Sequence, residues 1–173
     1  HMAADPSGAT PFSRTASLNI QGTYNIFEAG RLNGVRRVVF ASTNHVTGFY
    51  EKEEIYTTAD MPVRPDSLYG VSKVFGEALA RYYHDRYGME SICLRIGSFQ
   101  PKPLSARMLA TWLSHRDTVQ LVRRSIEAEV KFGVRGPIAG EDLSDLAGAD
   151  AIAGGGEGWE ELVAEFDGVA AQA

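Results

Sequence analysis

The sequence predicts an α/β fold in which a parallel sheet is flanked by helices. Two short apolar runs at 36–42 and 91–97 are typical of strands buried on both faces, and a weaker run follows at 130–134. A segment with helical periodicity, 67–87, separates the first two runs. A strand, a helix and a second strand in this order indicate a parallel strand pair with a helical crossover.

The helices are predicted from the spacing of apolar residues and from end signals. Segment 17–33 repeats apolar residues at helical spacing, and Gly34 follows as a stop. The helix at 67–87 carries an apolar stripe, and Asp66 or Ser67 can cap its start. Further helices are predicted at 109–114 and 119–126.

Composition narrows the class of protein. With 173 residues and 44% hydrophobic content, we expect one domain with a substantial core. A net charge of −5 offers no basic surface for nucleic acid, and no apolar run is long enough to span a membrane. The single cysteine, Cys93, excludes an internal disulfide and fits a reducing compartment. We expect a soluble cytoplasmic protein with a small-molecule substrate.

Tyr69 and Lys73 are the first candidates for chemistry. They stand four residues apart in the predicted helix, which places both side chains on one face. A free phenol titrates near a pKa of about 10, and a neighbouring positive charge favours its phenolate. The pair can therefore supply an acid or base near neutrality, although the same spacing also occurs in helices without a chemical role.

Four motifs occur in the order found in extended short-chain dehydrogenases. They are Asn19-Ile20-Gln21-Gly22-Thr23, Val38 to Gly48, Tyr69-Gly70-Val71-Ser72-Lys73 with Gly76-Glu77, and Leu94-Arg95-Ile96-Gly97-Ser98. Over residues 18–134 the chain therefore resembles the NAD-dependent epimerase/dehydratase family. In detail, it is most similar to the uronate dehydrogenases.

The resemblance divides the chain into three parts. Residues 1–17 are rich in small residues, Pro and Ser, and are expected to form a flexible or draped leader. Residues 18–134 correspond to the catalytic half of an extended short-chain dehydrogenase, with a truncated Rossmann-like parallel sheet. Residues 135–173 form a divergent acidic tail rich in Gly and Ala.

The resemblance also implies a catalytic set of four residues. Tyr69 would take the hydroxyl proton of the substrate, and Lys73 would lower the pKa of Tyr69. Thr43 would hold the substrate oxygen, because its hydroxyl both donates and accepts hydrogen bonds. Asn19 would support the active-site helix and a proton-relay water, although a helix-capping role explains it equally well.

Substrate binding is implied for Asn44, His45, Ser98 and Arg107. Neither Asn44 nor His45 is a carboxylate, which argues against a sugar dehydratase. Arg107 would clamp a sugar carboxylate, because a guanidinium group binds carboxylates through two hydrogen bonds. A structural role for His45 and a surface salt bridge at Arg107 are the alternatives.

NAD or NADP is the cofactor that the resemblance implies. Tyr69, Lys73, Ile96 and Gly97 match positions that contact it in the family. A G-x-x-G-x-x-G turn, which brings backbone amides close to the pyrophosphate, is not present before Asn19. Cofactor binding therefore stays open, as does the question whether a partner chain supplies the missing half. No metal site is predicted.

The resemblance implies a homodimer through helices 18–33 and 67–87, and both carry more apolar surface than one sheet face needs. A shortened sheet should also expose an apolar edge. We expect the leader, the tail or a partner chain to cover that edge.

Three functions are compatible with the sequence. The first is a uronate-dehydrogenase-like oxidoreductase acting on a polar, anionic sugar-like metabolite. The second is cofactor-independent acid–base chemistry on the same site, such as isomerisation, cyclisation or elimination. The third is a non-catalytic subunit that serves in dimerisation.

Overall fold

The computed structural model describes residues 1–53, 55–57 and 61–129, apart from the side chain of Arg107. The strand expected at 130–134 and the tail at 135–173 lie outside the described residues. None of the described helices is both long and apolar enough to cross a membrane.

The centre of the fold is a parallel pair of strands. Strand β1 (Arg37–Thr43) pairs with β2 (Glu90–Ile96) in a register that places Arg37 opposite Glu90 and Thr43 opposite Ile96. The short helix α3 (Gly48–Lys52) and the long helix α4 (Leu68–Tyr87) lie between the strands in sequence, and α4 packs on both strands. The predicted order of strand, helix and parallel strand is therefore confirmed, and both strands lie within one residue of their predicted positions.

The first helical segment is longer than predicted. Helix α1 (Phe12–Thr15) continues through a π-helical segment (Ala16–Gln21) into α2 (Gly22–Leu32). The sequence analysis placed the start at residue 17 because 3–17 lack apolar periodicity. The earlier start is stabilised by tertiary contact instead, since Thr15 is only 2% exposed. Gly34 follows the helix with a φ of 67°, a conformation that favours glycine.

The leader lies against the body of the protein. The α-amino group of His1 donates a hydrogen bond to the carbonyl oxygen of Val39 at 2.7 Å. The amide of Ala41 in turn donates to the carbonyl oxygen of His1 at 3.0 Å. The leader therefore runs along the edge of β1 that β2 does not pair with, as expected for a covered sheet edge.

Aromatic rings fill the space between the helices and β1. Phe27 of α2 lies 6.3 Å from Phe40 of β1 and 5.5 Å from Tyr83 of α4, measured between ring centroids. All three side chains are at most 2% exposed. A Cβ atom at Gly76 would overlap the Phe40 ring, so glycine allows α4 to approach the strand closely.

The segment after β2 forms a second, smaller parallel pair. Strand β3 (Ser98–Phe99) pairs with β4 (Trp112–Leu113), and α5 (Ala106–Leu109) connects them. The helix predicted at 109–114 is therefore wrong beyond its first residue. Helix α6 (His115–Glu127) follows and includes the helix predicted at 119–126.

Candidate active site

A cleft of about 560 Å³ opens at the carboxyl ends of β1 and β2. This is where open α/β sheets place their ligand sites. Residues from the leader, both strands, α4 and the segment after β2 line it. They include Met2, Ala4, Pro6, Thr43, Asn44, His45, Tyr69, Lys73, Ile96, Gly97, Ser98 and Thr111.

The start of α4 directs Tyr69 into this cleft. The Ser67 side chain accepts a hydrogen bond from the Gly70 amide at 3.1 Å, so Ser67 is the cap of the two candidates. Tyr69 is thereby held in the first turn, half-buried. Its phenol lines the cleft together with the Thr43 hydroxyl at the end of β1, which lies close enough to lower the pKa of Tyr69. The structure therefore brings Tyr69 and Thr43 together, as the sequence predicted.

Lys73 lies one turn further along α4 and is only 3% exposed. Its Nζ donates to the carbonyl oxygen of Ala41 at 2.7 Å and lies 5.6 Å from the centroid of the Tyr69 ring. Burial lowers the pKa of Lys73 to about 8. Near neutral pH the ammonium form still predominates, so a positive charge stays beside the phenol.

The pKa of Tyr69 differs in direction from the sequence expectation. Burial raises it, and the nearby Thr43 hydroxyl lowers it by a smaller amount. Lys73 makes no hydrogen bond to the phenol among the described contacts, because its Nζ is directed at the backbone of β1. The expected lowering by Lys73 is therefore absent from the described structure.

Thr43, Asn44 and His45 form a polar corner beyond β1. Thr43 Oγ1 donates to Asn44 Oδ1 at 3.4 Å and accepts from the His45 amide at 3.3 Å. Thr43 is 4% exposed, whereas the His45 side chain is 47% exposed and lines the cleft. His45 Nδ1 lies 2.9 Å from an Asp66 carboxylate oxygen. His45 is therefore a cleft residue and not a core histidine.

Asn19 is not among the residues that line the cleft. It lies inside the π-helical segment, which excludes the helix-capping role, and is 1% exposed. Its Nδ2 donates to Ser72 Oγ at 3.1 Å, and Ser72 Oγ donates to the Tyr69 carbonyl oxygen at 2.7 Å. Asn19 also binds the backbone of Asp5 through two hydrogen bonds. It thus connects the leader to α4 behind Tyr69.

Ile96, Gly97 and Ser98 form the opposite wall of the cleft. Ser98 Oγ lies 3.2 Å from Thr111 Oγ1, and the Ser98 amide donates to the Thr111 carbonyl oxygen at 2.8 Å. A Cβ atom at Gly97 would overlap that carbonyl, so glycine is required for this approach. Arg107 lies in α5, and its side chain is outside the described structure.

Sequence reasoning missed a charged cluster behind the cleft. Arg95 of β2 donates to both carboxylate oxygens of Glu77 in α4, at 2.9 and 2.8 Å. Ser42 of β1 also donates to Glu77, and the Arg95 and Glu77 side chains are each 12% exposed. Glu77 stands four residues after Lys73, and this helical spacing was the available signal. Asp66 and Thr111 were also missed as site residues.

The cleft fits part of a nicotinamide cofactor. Lys73 carries three donors, one of which is used by Ala41, so two remain for hydroxyl groups such as those of a ribose. Ile96 and Gly97 offer a small apolar wall next to Tyr69. No glycine-rich pyrophosphate turn lies among the described residues. The described residues of the cleft therefore fit the nicotinamide end of the cofactor.

Comparison with known proteins finds relatives whose names describe them as dehydrogenases of sugar acids. A uronate dehydrogenase from Pseudomonas syringae pv. tomato is 49% identical over 116 residues, which are 67% of this chain and 42% of that protein. A glucuronic acid dehydrogenase structure from Chromohalobacter salexigens has a TM-score of 0.80 at 35% identity, covering 96% of this chain and 64% of that one. The structure of a mutant uronate dehydrogenase from Agrobacterium tumefaciens, complexed with NAD, has a TM-score of 0.72 at 38% identity. The match covers 95% of this chain and 64% of that one.

These relatives confirm the Rossmann-like α/β fold. The chain spans less than half the length of the Pseudomonas enzyme and less than two thirds of each of the two structures. Residues 1–123 match the model of one family, which also accounts for the order of the motifs. The chain belongs to the NAD dependent epimerase/dehydratase family.

Proposed function

We propose that this chain carries the proton-transfer site of an NAD-dependent oxidoreductase that acts on a sugar acid. The observation that carries the proposal is the convergence of Thr43, Tyr69 and Lys73 in one cleft at the carboxyl ends of two parallel strands. Similarity to uronate dehydrogenases supports the substrate class.

In this proposal Tyr69, in its phenolate form, accepts the proton of a sugar hydroxyl group while the carbon atom gives up a hydride. NAD, when bound, supplies the hydride acceptor. The Thr43 hydroxyl has one hydrogen, which it gives to Asn44 Oδ1 in the structure; in the reaction it turns to donate to the phenolate, which opposes the effect of burial on the Tyr69 pKa. The Lys73 ammonium places a positive charge beside the ring. The alcohol becomes a carbonyl group, and one proton moves to Tyr69.

Tyr69, Lys73, Ile96 and Gly97 are the residues proposed to hold the cofactor. The free donors of Lys73 suit ribose hydroxyl groups, and the strand end at Ile96 and Gly97 suits a flat ring.

The polar residues of the cleft are proposed to hold the substrate. Asn44 and His45 beyond β1, and Ser98 on the facing wall, offer hydrogen bonds to sugar hydroxyl groups. Arg107 is proposed to bind the carboxylate, on the strength of the sequence motif and of its place in α5.

The proposal is tested by incubating the purified chain with NAD and glucuronate or galacturonate and following NADH absorbance. We expect oxidation in the wild type and a loss of at least about 100-fold in kcat for Tyr69→Phe, which removes the proton acceptor. Tyr56→Phe, at a tyrosine that is 89% exposed and lies outside the cleft, is the matched control. Equal activity in both variants would contradict the role of Tyr69. Conversion of a sugar acid without NAD would favour cofactor-independent acid–base chemistry instead.

We also infer a homodimer that forms through α2 and α4. Both helices bury only part of their apolar residues against the sheet. The exposed ones, each more than 40% accessible, are Tyr24, Ile26, Leu32, Leu68, Val71, Tyr82 and Tyr87. A second copy of the same surface would cover these side chains, as a two-fold interface requires.

A further inference from the structure

We propose that Asp66 is a positioning residue that fixes His45 as the Nδ1–H tautomer, so that His45 Nε2 accepts a hydrogen bond from a sugar hydroxyl group. The inference rests on the proposed function, because it assigns the polarity of one contact in the same cleft. From the sequence, Asp66 was predicted only as a possible cap of the helix at 67–87.

The contact between the two side chains sets the tautomer. His45 Nδ1 lies 2.9 Å from Asp66 Oδ1, within hydrogen-bond distance. An ionised carboxylate can only accept hydrogen bonds, so Nδ1 must carry the proton. In a neutral imidazole the second nitrogen, Nε2, then has a lone pair and no proton.

The carboxylate is held in place by its own neighbours. The Asp66 side chain is 12% exposed, and Ser67 Oγ donates to the same oxygen, Oδ1, at 3.2 Å. The Asp66 amide donates to the His45 carbonyl oxygen at 3.3 Å. Lys52 Nζ lies 3.9 Å from the other carboxylate oxygen. Backbone and side-chain contacts therefore join Asp66 and His45, so the ring has a defined direction.

Two glycines make room for this arrangement. A Cβ atom at Gly48 would overlap the Asp66 carboxylate. A Cβ atom at Gly70, in the first turn of α4, would lie 2.6 Å from the His45 carbonyl oxygen. A larger residue at Gly48 would force the Asp66 carboxylate to move, and one at Gly70 would force the His45 backbone to move, so both glycines allow the contact between His45 and Asp66.

The tautomer of His45 determines which groups of the sugar acid bind on its side of the cleft. The ring is 47% exposed and lies next to Tyr69, with a centroid separation of 6.0 Å. A neutral Nε2 acceptor attracts a hydroxyl donor and repels a carboxylate. The sugar hydroxyl groups are therefore expected on the His45 side, and the carboxylate elsewhere. This orientation presents a hydroxyl-bearing carbon to Tyr69.

The tautomer is measured by long-range ¹H–¹⁵N correlation on the full chain with labelled histidine, at a pH where imidazole is neutral. We expect the Nδ1–H form for His45 in the wild type and the Nε2–H form, which free imidazole side chains favour in water, in Asp66→Ala. Asp85→Ala, at an exposed aspartate of α4, should leave the His45 signal unchanged. An Nε2–H form in the wild type would overturn the inference, whether or not the variants fold.

Binding gives the second readout. Titration of glucuronate in the presence of NADH, which cannot accept a hydride, should show a dissociation constant about tenfold higher in Asp66→Ala than in Asp85→Ala, the size expected when one hydrogen bond is lost. Equal affinity in the two variants would overturn the inference. Absence of glucuronate binding in the wild type, with the Nδ1–H tautomer present, would contradict the proposed function and leave the positioning of His45 intact.

Discussion

Lys73 Nζ donates a hydrogen bond of 2.7 Å to the carbonyl oxygen of Ala41, which joins the first half of α4 to the carboxyl-terminal end of β1. The same strand end carries Thr43, the partner of Tyr69. A lysine that would otherwise be free to move is thereby fixed beside the phenol. The contact thus holds in place the three residues proposed to act on the proton.

Burial of Lys73 predicts a pH-dependent stability. Burial lowers its pKa to about 8 from the ordinary lysine value of 10.5, so folding disfavours the charged form. The unfolded chain then binds more protons than the folded one between these two values, and the free energy of unfolding rises with pH in that window. Burial of Lys73 lowers the free energy of unfolding most below a pH of about 8, where the buried lysine is charged in the folded protein.

Comparison with Lys73→Met isolates this effect. Urea denaturation at pH values between 8 and 10 should show the wild type gaining about 2 to 3 kcal/mol relative to Lys73→Met. A difference between the two proteins that stays constant over this range would contradict a lowered pKa.

Gly76→Ala should destabilise the protein by about 1–3 kcal/mol, because the added methyl group overlaps the Phe40 ring. Gly22→Ala is the matched control. Gly22 also has helical backbone angles, and its added Cβ would meet only an oxygen at 3.9 Å. The control should be neutral or stabilising by about 0.5–1 kcal/mol. Thermal or urea denaturation of both variants measures the effect, and equal stabilities would contradict the close approach of α4 to β1.

Glu77→Gln should cost about 3 kcal/mol, because it leaves Arg95 charged and largely buried without its partner. Glu127→Gln, in the exposed pair with Arg123, should leave the free energy of unfolding unchanged. Replacing Glu77 and Arg95 together by Leu and Met should recover much of the loss. If the double variant loses more free energy of unfolding than Glu77→Leu and Arg95→Met lose when their separate losses are added, this explanation is wrong.

Val71→Glu should convert the proposed homodimer into a monomer, because Val71 is 46% exposed on the apolar surface of α4. Val119→Glu, at a 69% exposed position of α6, should leave the dimer intact. Light scattering over a range of concentrations gives the molar mass of each. A monomeric wild type would contradict the proposed interface.

The sequence predicted the centre of the fold because its signals there are local. Apolar runs at 36–42 and 91–97 and the periodic segment at 67–87 each match the structure closely. Residues 110–114 were misassigned because their structure depends on a distant strand. Trp112 is opposite Ser98 in the β3–β4 pair, and no local pattern indicates that contact.

In the candidate site, too, features set by local sequence were predicted and features set by distant contacts were missed. Tyr69 and Lys73 could be placed together from their spacing on one helix, and Thr43 was added to them by the family resemblance alone. Asp66 and Glu77 were missed because each acts through a partner distant in sequence, His45 at the start of a loop and Arg95 on β2. The pKa of Tyr69 could not be predicted from spacing either, because burial is a property of the whole cleft.

The measurement that tests the central claim most directly is calorimetric titration of NAD into the purified full chain, with Tyr69→Phe measured alongside. We predict saturable binding of NAD with a dissociation constant below about 1 mM, a common upper value for enzyme substrates. Tyr69→Phe keeps the ring and the other three proposed cofactor residues and loses only the phenol oxygen, so it should bind NAD within a few-fold of the wild type and lose at least about 100-fold in oxidation rate. No detectable heat of binding at millimolar NAD would contradict the account of this chain as an NAD-dependent oxidoreductase.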